Sequence, residues 1–389
     1  MVGVCSLLES LRAESLVGKM ALNTSNAYCT PWNTLVLTDP GAASGLLYSQ
    51  VENIVYLTSI LVIFVIGALA NFAFLFMVAR LSRMQTTVNL YLANLAVADF
   101  VFLFVSTVYY VATLLHSPVT ENLPFHGKAS CVLMFAPAMV SYYASLGIVT
   151  LMSLERFLAI CHPLKHAYVK GKRRAVRMIT GLWIVSIAPA SVQTLQNANN
   201  TKLCVKWPTN NEFYENMPKQ IHVCLSLIPG STFTGIAAPT FFVATFVLPM
   251  LVNIVMYARI IVAVSITSRS AAVTDQRAGS NLTLVRNQVT RILVITGVIF
   301  FALQIPLRLL SVDRVFRNLA GLSFLDNDQR RGLLISGRFL VLINSATNSL
   351  IYAFISAHYR KGFIEAFSCR KAGKHGGIQL DTLSSRIVK

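Results

Sequence analysis

The sequence predicts an all-α membrane protein, a seven-transmembrane helix bundle with a short amphipathic helix after the seventh span. Three observations predict it. Charged residues make up only 12% of the 389 residues, while 55% are hydrophobic. A soluble protein carries about 25% charged residues, so the missing charge implies a second apolar solvent besides a core. Seven runs are apolar enough to cross hydrocarbon, which takes about 20 residues per helix. The formal net charge of +18 sits in basic clusters between those runs. That placement favours a membrane surface and disfavours nucleic acid as a partner, since nucleic acid needs bases grouped on a soluble face.

In chain order, residues 1–50 read as an extracellular tail, 51–357 as the membrane domain and 358–389 as an amphipathic helix and cytoplasmic tail. The spans are Ile54–Val78, without a charge; Asn89–Leu115, with one Asp; Val132–Leu154; Val176–Leu195, short and holding Pro189; Ile236–Tyr257; Ile292–Leu307; and Phe339–Ala357. Proline is tolerated in such helices because neighbouring helices satisfy the freed backbone groups. After the last span, HYRKGFIEAFSC spaces Tyr359, Phe363 and Phe367 four apart. Such a helix lies on the inner membrane surface, and Cys369 at its end is a candidate for palmitoylation.

The bases orient the bundle. KHAYVKGKRRAVR follows the third span, and YRKGF and CRKAGK follow the seventh. Basic loops stay in the cytosol, which puts the N-terminus outside a multi-pass plasma-membrane protein. The first 50 residues show no basic start or clean cleavage site, so the first span is expected to act as its own insertion signal. Asn23 and Asn199 then lie outside as glycosylation sites, and Asn281 lies inside, bare. The run from Lys170 to Arg177 would meet anionic lipid. No internal repeat or inverted symmetry supports a transporter, which stays a remote alternative. The His residues are scattered and no nucleophile stands beside a base, so an enzyme is not expected.

A charge inside a span costs about 2.5–3.5 kcal/mol on insertion scales and usually faces the bundle interior. Asp99, Glu155, Arg156 and Arg308 are such charges. Around them, motifs fall in order: GALAN with Asn71, LANLAVAD with Asp99, Cys131, Glu155-Arg156-Phe157, Trp183, Pro249 with Tyr257, FFALQIP, and NSLIY. Over about residues 50–370 this set resembles the rhodopsin-like (class A) G protein-coupled receptors. CVKWP and LERFLAICHPLKH are similar to stretches of neuropeptide receptors within that family.

The resemblance implies a receptor that binds an extracellular peptide and activates a heterotrimeric G protein, with arrestin as a further partner. A class A receptor for a small or lipid carboxylate is the alternative. By resemblance, Glu155 restrains Arg156 at rest, Arg156 is the switch, and Leu164 packs against the G protein. Tyr257, Phe300, Pro306, Asn348 and Tyr352 complete the activation set. Asp99, Ser145, Asn344, Ser345 and Asn348 match a sodium site, with sodium as an allosteric modulator and no other cofactor; a water-filled polar network is the other reading. The family joins the top of the third helix to the second outer loop. Cys131 therefore needs Cys204 or Cys224; the likeness of CVKWP favours Cys204, leaving Cys224 for Cys29.

Four departures from the family pattern stand out. Phe157 replaces Tyr, Gln304 replaces a Trp, Ser349 replaces a Pro, and Arg286 stands where an acid would brake the sixth helix. The last change predicts measurable basal activity. Pro306 still weakens its helix, because it removes a backbone donor and crowds the preceding turn.

For the ligand, Ala138 occupies the place of the amine receptors' Asp, and FLVLINSATN lacks the Lys that retinal needs. Arg308, one turn from Gln304, and Arg338 make the expected pocket positive. Guanidinium groups favour carboxylate or phosphate, so the ligand is expected to carry an anionic group, unless each Arg pairs internally with Glu52 or Asp313. Tyr109, Tyr110, Met139, Tyr142 and Phe339 would supply walls. The second outer loop, about Gln196–Gly235, suits a hairpin over a peptide-sized opening.

Overall fold

The computed structural model describes residues 29–30, 33–127, 129–169, 171–209, 212–228, 232–273 and 294–368. Seven apolar spans are present. The first is Gln50–Arg80, the second Thr87–His116, the third Ser130–Cys161 and the fourth Lys172–Leu195. The fifth is Ala238–Val273, the sixth is split into Val294–Ala302 and Ile305–Ala320, and the seventh is Asn327–Ile355.

Local sequence explains where these helices start and stop. Ser49 and Glu52 form a reciprocal capping box at the first span, and Asp326 and Gln329 do the same at the seventh. Each box satisfies two backbone N–H groups that a helix start leaves orphaned. Thr86 caps the second span. The sixth is bent by 40° where its two pieces meet. Pro306 lies in the first turn of the outer piece, the one helical position where its missing N–H and fixed φ suit the backbone. Gly321 ends that piece at φ 65, a left-handed conformation that glycine adopts at little cost. The seventh span, without the family's proline, runs unbroken.

The third span is the axle, packed against the second, fourth and fifth. Its buried side chains include Ser141, Tyr142, Ser145, Val149 and Ser153. Large apolar side chains point outward elsewhere, among them Leu61, Val62, Val65 and Leu69 on the first span and Ile184, Val185 and Ile187 on the fourth. Water would penalise these faces; lipid does not.

A second, smaller core lies beyond the ends of the spans, around Val119 and the loop after the fourth span. Strand β1, Thr34–Val36, pairs in parallel with β2, Asn199–Lys206, and β2 pairs antiparallel with β3, Gln220–Leu225. Leu35, Leu37, Leu203, Val205, Tyr214 and Ile221 bury together beneath this sheet. Trp207 stacks on Tyr214 with ring centroids 5.8 Å apart. The tail is thus folded onto the second outer loop from Cys29 onward.

The strand register corrects the expected disulfides. Cys131 bonds Cys224, and Cys29 bonds Cys204. Cys204 stands opposite Thr34 of β1, at the tail side of the hairpin. Cys224 stands opposite Asn200, whose amide donates to Ser130 Oγ at 2.8 Å and to the Phe125 carbonyl at 2.9 Å. That anchor brings the returning strand, not the outgoing one, to the top of the third span. Asn199, at the start of β2, is exposed.

Past the seventh span, helix Ala357–Phe367 turns under the bundle. The Tyr359 hydroxyl donates to Asn89 Oδ1 at 2.7 Å, and Phe363 packs near Phe74. Cys5, Asn23, Asn281, Arg286 and Cys369 lie outside the described residues.

Candidate ligand cavity and signalling core

A cavity lies between the helices at the end of the bundle where β2 begins, about 830 Å³ including its open mouth. Tyr110, Met139, Tyr142, Gln304, Arg308 and Arg338 line it, as the sequence suggested. Tyr109 and Ala138 do not. Ala138 is fully buried in helix packing, and the Tyr109 hydroxyl donates to Glu121. Phe339 lines a smaller adjoining pocket between the first, second and seventh spans.

The two expected arginines differ. Arg338 forms an ion pair with Glu121, from the loop after the second span. Glu121 sits at φ 63, a rare conformation for a side-chain-bearing residue. Burial alone would raise its carboxyl pKa, but Arg338 and the Tyr109 hydroxyl outweigh burial and hold it below the usual carboxylate range. Arg308 has no acid within ion-pair distance among the described residues. It is 6% exposed. It donates to the Tyr142 hydroxyl and, at 3.1 Å, to Gln304 Oε1. Its guanidinium carbon lies 3.5 Å from the Phe242 ring centroid and 4.6 Å from that of Phe246. Its Nε and Nη1 have no hydrogen-bond partner among the described residues.

Neither internal acid considered from sequence reaches Arg308 or Arg338. Glu52 pairs with Arg331. Asp313, fully buried, pairs with Arg317 and Arg330 and accepts the backbone N–H groups of Phe324 and Leu325. That cluster ties the outer ends of the sixth and seventh spans together. Glu121, Phe242 and Arg314 were not expected from the sequence; Phe242 and Arg314 line the cavity. Arg314 was legible as a base one residue past Asp313; Glu121 carried no signal.

Below the cavity, Asp99 accepts hydrogen bonds from Ser145 Oγ at 2.9 Å and Asn348 Nδ2 at 2.7 Å. Asn344 Oδ1 and Asn348 Oδ1 are buried without partners, and Ser345 is 4% exposed. A carboxylate with orphaned amide oxygens is a donor set that fits a hard cation such as sodium. On the neighbouring face, Ser349 Oγ donates to Asn71 Oδ1 at 2.8 Å, and Asn71 Nδ2 donates to the Ser345 carbonyl at 3.1 Å. The residue that replaces proline therefore ties the seventh span to the first.

At the inner end, the expected restraint of Arg156 by Glu155 is not formed. Glu155 Oε1 accepts from His166 Nε2 at 3.0 Å, and Oε2 lies 3.9 Å from Arg174. Consecutive residues on a helix diverge by about 100° around its axis. Glu155 therefore faces the inner-loop helix Pro163–Val169 and the start of the fourth span. Arg156 makes no ion pair among the described residues, and its Nε is buried without a partner. The Tyr257 hydroxyl accepts from Ser153 Oγ at 2.7 Å. Phe300 and Tyr352 are each 1% exposed in the core, whereas Leu164 is 80% exposed on the inner-loop helix.

A family model described as "7 transmembrane receptor (rhodopsin family)" matches residues 70–352. The chain is 23% identical to the somatostatin receptor type 2 of Mus musculus over 81% of this chain and 78% of that protein. It is 24% identical to the galanin receptor 2a of Danio rerio, covering 82% and 80% of the two. To the neuromedin-U receptor 1 of Rattus norvegicus it is 27% identical, covering 84% and 78%. The ordered motifs, the seven spans and this match over most of the bundle agree: the chain belongs to the rhodopsin family of seven-transmembrane receptors.

Proposed function

We propose that this receptor binds a peptide on the outer side and activates a heterotrimeric G protein at its inner face, with its N-terminus extracellular. One observation carries the reading: an open-mouthed cavity between the helices, bordered by Gln196 and Asn197 at the start of the hairpin loop and reaching Gln304 at the bend of the sixth span. The named relatives are receptors for peptides, and the wide lid suits such a ligand.

Gln304 sits at the bend, and its Nε2 donates to the Phe300 carbonyl at 3.3 Å across it. A ligand pressing on Gln304 and Arg308 acts directly on the joint between the outer piece, clamped by Asp313, and the inner piece, which carries Phe300. The inner piece is free to swing while the outer end stays tied to the seventh span. Gln304 thus takes the place that Trp holds in the family. Movement of the inner piece opens a cleft beside Arg156, and exposed Leu164 supplies an apolar contact for the G protein. Arrestin would use the same face, and the bases from Lys172 to Arg177 would hold anionic lipid beside it.

Asp99, Ser145, Asn344, Ser345 and Asn348 would hold a sodium ion, which when bound would neutralise the buried carboxylate. The chain's own part is to present those oxygens from three helices at once. Any shift of the seventh span against the second would pull Asn348 from Asp99.

A screen of a peptide library against several G protein readouts tests the reading, with Arg156→Ala as control. A peptide that activates the wild type but not that variant is the expected result. Uptake or current without G protein activation would overturn it, as would epitope tags that place both termini on one side of the membrane.

A further inference from the structure

Arg308 is the anomaly of the cavity. A buried charge is costly unless paired and hydrogen-bonded, and among the described residues Arg308 has only a phenol and an amide as hydrogen-bond partners. The acids near these helices are already committed: Glu121 to Arg338, Asp313 to Arg317 and Arg330, Glu52 to Arg331. No Asp or Glu lines the cavity among the described residues. The rings of Phe242, Phe246 and Tyr142 hold the guanidinium by cation–π contact, worth about 2 kcal/mol when desolvated. That is less than a carboxylate partner would give. Donors on two nitrogens remain unused.

We infer that Arg308 is the receptor for a carboxylate of the ligand, and that Arg338 is not. This deepens the reading of the cavity above and rests on it. Arg338 is already neutralised; it holds the first outer loop against the seventh span. Arg308, on the cavity floor, is a cation prepared for an anion that comes from outside. The wall around it offers aromatic rings and the amides of Gln193, Gln196 and Asn197. Rings and amides suit a carboxylate carried on an apolar residue at the free C-terminus of a peptide. They suit a C-terminal carboxamide poorly, because it brings no charge to the guanidinium.

A structural Arg308 and a ligand-binding Arg308 differ in the stability of the empty receptor. If the aromatic stack makes Arg308 structural, its loss destabilises the empty receptor. If Arg308 awaits an anion, the empty receptor carries an unmet cost. Exchange for an apolar side chain of similar length then relieves it.

The test is thermal unfolding of the purified full-length receptor, which needs no G protein. The probes are N-acetyl-phenylalanine, octanoate, and N-acetylated tetrapeptides ending in phenylalanine, each as acid and as carboxamide. Empty R308M is expected to melt above wild type, and empty R338M below it because Glu121 is stranded. The acids are expected to raise the wild-type midpoint and the amides to leave it unchanged; R308M and R308Q should lose the acid shift. A larger shift from the tetrapeptide acid than from octanoate assigns the carboxylate to a peptide, and the reverse order to a small acid.

A fall in the midpoint of both empty Arg308 variants overturns the inference. So do equal shifts from acids and amides, an acid shift that survives in R308M, or no acid shift at all. Failure of the receptor reading shows elsewhere, as absence of G protein activation in the library screen.

Discussion

Glu155 takes its hydrogen bond from His166 at 3.0 Å, not from the Arg156 beside it. The acid at the inner end of the third span therefore holds the inner-loop helix, and through it the position of Leu164. Glu155→Ala and His166→Ala should each weaken agonist potency two- to five-fold, or about 0.4–1 kcal/mol, the range for a partly exposed pair. The double variant should lose no more than either single one, because both break the same contact. Fully additive losses in a G protein activation assay would show that the two side chains act separately.

The same geometry leaves Arg156 without a direct ion pair among the described residues. The sequence places a base, Arg286, where the family has a second brake. Two absent restraints on one switch should give measurable signalling without agonist, removed by Arg156→Ala. Basal second-messenger levels equal to those of mock-transfected cells would refute this.

The lid depends on which cysteines pair. Peptide mapping without reduction should recover 29–204 and 131–224 bridges. Cys29→Ser and Cys204→Ser should behave alike, releasing β1 from the hairpin and weakening agonist binding while surface expression persists. A native disulfide is worth about 2–4 kcal/mol, enough to loosen a small lid but not a seven-helix bundle. Recovery of a 131–204 bridge would contradict the strand register itself.

The spans were legible because hydrocarbon demands long uncharged runs, and the sixth-span bend was legible in Pro306. Asp99, Ser145 and Asn348 were legible as one site because the family motifs fix their depth on three helices. The disulfides were not, since connectivity depends on a hairpin register that cysteine spacing does not encode. Arg338 looked like a free cation because its partner Glu121 is 217 residues away, in a loop with no motif. Ser349 read as a loss of proline; only its contact with Asn71 reveals the hydrogen bond that replaces the kink. Glu155 was expected to hold Arg156 by resemblance to the family motif; here the acid turns instead to His166 on the following helix.

Acid should open the outer side in two steps. His222, on β3, donates from Nδ1 to Asn200 Oδ1 at 3.2 Å and faces His126 with ring centroids 4.4 Å apart. Burial first, then His126, Lys202 and His116, hold its pKa below the ordinary 6.5. The folded state thus favours the neutral ring, so its contribution is full above 6.5 and fades as pH falls through the lowered value. Glu121 is the second step. Its carboxyl is held below the ordinary 4.5, so the pair with Arg338 keeps its full contribution above 4.5 and loses it as pH falls through the folded value. The thermal midpoint should be flat above neutrality, decline from about pH 6.5 in a step absent from His222→Gln, and decline again below 4.5. Glu121→Gln should remove the second step and lower stability at every pH above 4.5, since stranding one partner of a buried pair costs about 3–5 kcal/mol, while at lower pH the variant and the wild type should converge. A Glu121→Gln receptor as stable as the wild type at neutral pH would show that Arg338 needs no acid, and would return it to the ligand as a second site for a negative group.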